Sequence, residues 1–167
     1  LLVCSYYFYM CWNASYALLI LTSTVLTFLS GLLIDRSGRL ADTAKAMRQK
    51  KLWVALSFII NLTILVFFKY FNFIIDNINI LTELLGGHSF GHFDILLPVG
   101  ISFYTFQALS YTMDVYRGDM PAEKNIAYYA LFVSFFPQLV AGPIERTPSL
   151  LRQLHQTTAF NGRRTVK

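Results

Sequence analysis

Apolar residues fall in five runs along the chain, separated by polar stretches. Residues 1–12, LLVCSYYFYMCW, thicken in Tyr and Trp toward their end, as membrane helices do where bilayer meets water. Asn13 and Ser15 then offer a turn and an N-cap. Residues 16–34 carry no charge. At 1.5 Å per residue that run reaches about 29 Å, enough for a hydrocarbon core of about 30 Å. Its Thr22, Ser23, Thr24, Thr27, Ser30 and Gly31 are small or hydroxylated, which lets helices approach closely in a bundle. Residues 52–75 form the next span, with Asn61 near mid-membrane and Lys69 placed to snorkel at the far end. Residues 95–115 form another, with Pro98 and Gly100 near its start. The last run, 126–144, ends in FFPQLVAGPIER, where Pro137, Gly142 and Pro143 interrupt the apolar residues and Glu145 and Arg146 follow.

The polar stretches assign sides. Residues 35–51 hold six Lys or Arg against two Asp and read as a cytoplasmic loop. Residues 76–94 hold Asp76, Glu83 and Asp94 with no Lys or Arg and read as an external loop. Residues 116–125 then lie inside again. A simple span through 126–144 would put the basic tail outside, against the positive-inside tendency. A segment that enters, turns at its Pro and Gly, and returns keeps the tail inside. Irregular backbone at membrane depth survives where protein or a water-filled cavity satisfies it, so this segment is expected to line or plug a cavity.

Composition agrees with a membrane protein. Hydrophobic residues make up 55% and charged residues 14%, whereas about a quarter is charged in soluble domains. Mean hydropathy is +0.49. The net charge of +5 sits between apolar runs, which suits membrane orientation and not nucleic acid. The chain opens inside an apolar run without Met, and is read as a fragment of a longer polytopic protein with no cleavable signal peptide. The fold class expected is all-α: a polytopic transmembrane bundle in one membrane domain over 1–167, with a broken or re-entrant helix near 126–144.

Candidate chemistry is sparse. Tyr104, Gln107, Tyr111 and Asp114 are spaced three, four and three apart, on one helical face, with Arg117 following. Such a face either lines a cavity or acts as helix–helix glue, with Asp114 and Arg117 paired at the interface. Glu145 and Arg146 read as an interfacial ion pair or as a charged rim for an anionic donor or carrier. Cys4 and Cys11 read as packing residues, neither disulfide nor metal site. His88 and His92 are four apart, but Gly86, Gly87 and Gly91 argue against a metal-binding helix. His155 reads as a solvated surface residue. No phosphate loop or nucleophile–base order stands out.

Three stretches together, FKYFNF at 68–73, LLPVGISFYTFQALSYTMDVYRGDMPA at 96–122 and FVSFFPQLVAGPIER at 132–146, resemble the membrane-bound O-acyltransferase family. Within it, they resemble the bacterial branch of alginate O-acetylation and D-alanyl transfer. The resemblance implies transfer of an acyl group, most simply acetyl, from a cytoplasmic thioester to a hydroxyl of an exported polysaccharide or cell-wall polymer. It implies acyl-CoA or an acyl-carrier thioester as donor and no bound cofactor. It implies a multi-pass protein of the inner (plasma) membrane, in contact with lipid, an acyl donor or carrier protein, and a periplasmic or extracellular acetylation partner. The family's catalytic His, in a Trp-His-Gly-like setting of an apolar helix, has no counterpart here, so none of His88, His92 or His155 is expected to inherit it. The matching motif positions Ser102, Tyr104, Gln107, Tyr111, Asp114, Arg117, Gln138, Glu145 and Arg146 are the implied substrate-binding residues. A transporter or flippase module is the alternative, since broken helices and a polar face at mid-membrane suit transport too.

Overall fold

With no charge over residues 16–34, the cheapest state of that backbone in lipid is a helix that satisfies all its own hydrogen bonds. A computed structural model describes residues 1–12, 14–39, 42–84, 98, 100–135, 137–138 and 147–155. It places that run in α2 (Ala14–Ser37), preceded by α1 (Leu2–Trp12). Helix α3 (Thr43–Leu84) follows, and α2 and α3 are both long and apolar enough to cross a membrane. Then come α4 (Ile101–Arg117), α5 (Ile126–Ser134) and α6 (Thr147–His155), and no strand occurs among the described residues. The protein is an all-α membrane bundle.

Several helix boundaries differ from expectation. The basic stretch 35–51 is largely helical: Asp35 to Ser37 finish α2 and Thr43 to Lys51 open α3. Ala, Lys, Arg, Gln and Met are strong helix formers. Asp42 caps the new helix, its Oδ1 accepting from the backbone N–H of Ala44 (3.0 Å) and Lys45 (3.2 Å). With neither Gly nor Pro between Thr43 and Leu84, α3 then runs 42 residues, about 63 Å. It carries through the span at 52–75 and takes up residues 76–84 of the expected outer loop; residues 85–94 of that loop lie outside the described residues.

Helix α4 begins later than the expected 95 and ends later than 115. Pro98 and Gly100 start it, with Pro98 O accepting from Ile101 N at 3.2 Å. It ends on Gly118 in the left-handed conformation (φ 82°), where the Gly118 and Asp119 amides bond back to Val115 O and Asp114 O. Only glycine takes that conformation without strain, so the chain turns sharply there.

Helix α5 is the expected broken helix. It has nine residues, about 13 Å, under half a hydrocarbon core. Asn125 caps its start, accepting from Ala127 N at 2.9 Å. Its end comes at Phe135, in extended backbone (φ −60°, ψ 100°), two residues before Pro137. By α6 the chain has come back to the end at which α5 began: His155 Nε2 lies 2.8 Å from Glu123 Oε2 and its ring stacks on Tyr128 at 4.1 Å. Met47 Sδ and Tyr116 OH meet at that same end, 3.6 Å apart. The ends of α2 and α4, the start of α3 and the returning α6 thus share one end of the bundle.

The core sits around α2. Ser23, Thr24, Thr27, Ser30 and Gly31 face inward as expected, whereas Thr22 is exposed and bonds back to Leu18 O. Ser23 donates to Asn61, Asn61 Nδ2 donates to Ser57 O at 2.9 Å, and Ser57 meets Thr112 at 3.4 Å. This ladder ties α2, α3 and α4 together and satisfies the mid-membrane Asn61 within the protein. Lys69 is exposed, 5.6 Å from the Tyr70 ring. Cys4 and Cys11 are free and exposed, so they are not packing residues as expected; α1 presents them on its outer side, where the small residues of α2 do not reach.

Candidate functional site

The polar positions of α4 are set by helical period, and α5 decides what they meet. Tyr104, Gln107 and Tyr111 are 1%, 4% and 0% exposed. Gln107 Nε2 donates to Phe132 O at 2.9 Å and to Gln138 Oε1 at 3.3 Å. The first of these bonds falls in the last turn of α5, where carbonyls lack intrahelical donors because the helix stops. Gln107 therefore satisfies part of the break in the arm. Gln138, just beyond the break, is buried and reached by the same amide. Sequence separation of 31 residues is closed by this one contact.

Tyr111 is held from two sides. Its ring packs on Tyr129 at 4.5 Å, and its hydroxyl accepts from the Glu123 backbone N–H at 3.0 Å. The Tyr104 hydroxyl is buried with no hydrogen-bond partner among the described residues. Ser102 and Asp114 are half-buried and Arg117 is exposed. The Asp114–Arg117 pair that the glue alternative offered does not form; the pairs among described residues are Arg39–Asp35, Lys45–Asp42 and His155–Glu123. Both lie in the last turns of α4, Asp114 half-buried and Arg117 exposed. Glu145 and Arg146 lie outside the described residues, as do His88 and His92.

Glu123 is the residue that sequence reasoning missed. Its Oε1 accepts from the backbone N–H of Lys124 and Asn125, each at 2.9 Å, and its Oε2 pairs with His155. It therefore fastens both ends of the arm, the entry into α5 and the last residue of α6. His155 is exposed, as expected of a surface residue, and it is also paired with Glu123. An acid two residues before an N-cap was the available signal. Around it the turn 119–124 and α6 line an open cleft of about 470 Å³, with Lys124, Arg152 and Leu151 on its walls.

Burial pushes the Glu123 carboxyl up, but the amides of Asn125 and Lys124 and the His155 pair outweigh it and hold the group below its ordinary value of 4.5. A folded-state value below the unfolded one stabilises the fold above about pH 4.5, and this contribution is lost as pH falls through the folded value. Glu123→Gln is expected to lose about 1–2 kcal/mol at neutral pH and to show a flatter decline of melting temperature between about pH 5 and 3 than the unmodified protein. Parallel acid profiles for the two proteins would remove Glu123 from this role.

No protein-family model and no solved structure matches the chain. Curated proteins do match. The chain is 42% identical over 158 residues to a Pseudomonas aeruginosa protein named "Probable alginate O-acetylase AlgI", covering 95% of this chain and 29% of that protein. An Azotobacter vinelandii protein of the same name is 40% identical over 95% of this chain and 30% of its own length. A Helicobacter pylori "Peptidoglycan O-acetyltransferase" is 31% identical over 92% of this chain and 32% of its own. The chain belongs to the membrane-bound O-acyltransferase family. It spans about 30% of the length of the curated relatives it matches. In the sequence of this O-acyltransferase segment the motif AGPIER, at 141–146, follows Gln138 and precedes α6, and it lies outside the described residues. The family motif of α4 supplies Gln107 and Tyr111, the two side chains that hold that arm in place.

Proposed function

We propose that this chain is the part of a membrane-bound O-acyltransferase that builds and braces the re-entrant wall of the acyl-transfer passage. The whole protein moves an acetyl group from a cytoplasmic thioester to a hydroxyl of an exported polysaccharide, as the names of its relatives suggest for alginate and peptidoglycan. It sits in the inner membrane with α6 and the basic ends of α2 and α3 inside. The observation that carries this reading is the returning arm: α5 stops part-way at Phe135, and α6 comes back to Glu123. A backbone broken at membrane depth must be enclosed by protein or by a water-filled passage. The amides and phenols of the seam orient and hydrogen-bond. The base that deprotonates the acceptor hydroxyl comes from elsewhere in the whole protein.

Ser102, Asp114, Arg117, Glu145 and Arg146 meet, in this reading, substrate or the remaining helices, whereas Tyr104 is buried within the bundle. Gln107, Tyr111 and Gln138 act through the arm they position. The test is transfer of labelled acetyl by membranes carrying the full-length protein. Gln107→Ala is expected to lower transfer about 10- to 100-fold at normal membrane insertion, because misplacing a supporting wall by an ångström costs that much. Full transfer by Gln107→Ala would dismiss the seam as functional. Full-length protein that moves polymer but transfers no acetyl would favour the transporter reading.

A further inference from the structure

Helix α3 is packed on one side only. Ala46, Ser57, Asn61 and Leu65 are buried toward the bundle. On the opposite side Lys45, Arg48, Leu52 and Ile59 follow at spacings of three, four and seven, which is one helical face. All four are exposed, Leu52 at 61% and Ile59 at 64%. Lys51 borders this face and is exposed as well. The face is thus a basic turn continued directly by an apolar stripe.

The level of that turn is fixed independently. From Lys51 to Lys69, which lies beside the Tyr70 ring, α3 rises about 27 Å, close to a hydrocarbon core of about 30 Å. The two ends of this length carry the cations and the aromatic ring that belong at interfaces. Lys45, Arg48 and Lys51 therefore stand at headgroup depth, on an unbroken helix that holds them in fixed relation. The neighbouring acids do little to neutralise them. Asp35 is taken by Arg39 at 2.7 Å, Asp42 reaches Lys45 only at 3.7 Å, and Arg48 and Lys51 form no ion pair among the described residues.

We propose that this face is a seat for an anionic phospholipid, its phosphate held by Lys45, Arg48 and Lys51 and one acyl chain lying along Leu52, Leu56 and Ile59. A headgroup at that depth supplies negative charge where the helix supplies three cations, and the chain covers side chains that are otherwise bare. Each cation near such a surface contributes enough to change binding about fivefold.

The experiment uses protein purified in a neutral detergent, offered phosphatidylglycerol and phosphatidylcholine in equal amounts, with retained lipid counted by native mass spectrometry. Phosphatidylglycerol is expected to be retained on the order of tenfold over phosphatidylcholine, and to raise the melting temperature. Lys45→Gln/Arg48→Gln/Lys51→Gln should bring retention to parity while leaving the melting temperature in phosphatidylcholine unchanged. Lys124→Gln/Arg152→Gln, at the same end but off this face, should keep the preference. The seat is refuted by equal retention in the unmodified protein, by a preference that survives the triple substitution, or by equal loss in both variants, which would mean diffuse charge.

Discussion

Tyr129→Ala is expected to cost about 3–5 kcal/mol, the largest loss of any single truncation in the described core. Tyr129 is fully buried in α5. Its ring lies 4.5 Å from Tyr111, 5.7 Å from Phe28 and 6.0 Å from Phe132, and its hydroxyl donates to Thr27 Oγ1 at 2.7 Å. Between helices in lipid no hydrophobic driving force helps, so dispersion contacts and hydrogen bonds carry the packing. Truncation removes both at once and opens a void between α2, α4 and α5. Tyr129→Phe separates the two contributions: it keeps the ring and loses only the bond to Thr27, about 1 kcal/mol. Thermal unfolding in detergent measures both. A Tyr129→Ala protein as stable as Tyr129→Phe would show that the arm does not lean on this ring.

None of this was visible in the run IAYYALFVSFF. Two adjacent tyrosines there look alike, yet Tyr129 is the core of the seam and Tyr128 is half-buried beside His155. The difference is one helical step of 100°, and its meaning depends on where α2 and α4 stand.

Gly31→Val is expected to destabilise the bundle by about 1–3 kcal/mol or more, through overpacking instead of loss. A Cβ at Gly31 would lie 2.7 Å from both Cε1 and the hydroxyl oxygen of Tyr111. That ring cannot swing aside freely. It is fully buried, stacked on Tyr129, and its oxygen accepts from Glu123 N. The added methyls must push α2 and α4 apart or break the anchor of the turn at 118–125. A double-mutant cycle with Tyr111→Leu tests the cause: removing the ring should recover much of the loss from Gly31→Val. Additive effects would place the strain elsewhere. A close approach at Gly31 was anticipated from the small residues around it; the partner was not, since nothing local in SGLLI points to Tyr111.

The site divides in the same way. Tyr104, Gln107 and Tyr111 share a face by spacing alone, and they are buried on that face. Asp114 and Arg117 were one possible pair by charge and spacing, and they form no ion pair with each other in the structure. Glu123 carried no sequence pattern strong enough to single it out, because its partners are two backbone amides and a His 32 residues away.

What the amino-acid order determined by itself is the environment and the period. Long uncharged runs must hydrogen-bond internally in lipid, so the all-α class and the interruption of the last apolar run ahead of Pro137 follow from composition and local backbone chemistry. Tertiary structure alone decided which side of each helix meets protein. It turned the polar face of α4 onto the broken end of α5, set Gly31 against Tyr111, and brought α6 back to Glu123. Those choices depend on side chains far apart in the chain filling one shared volume, a condition that no local window of residues contains.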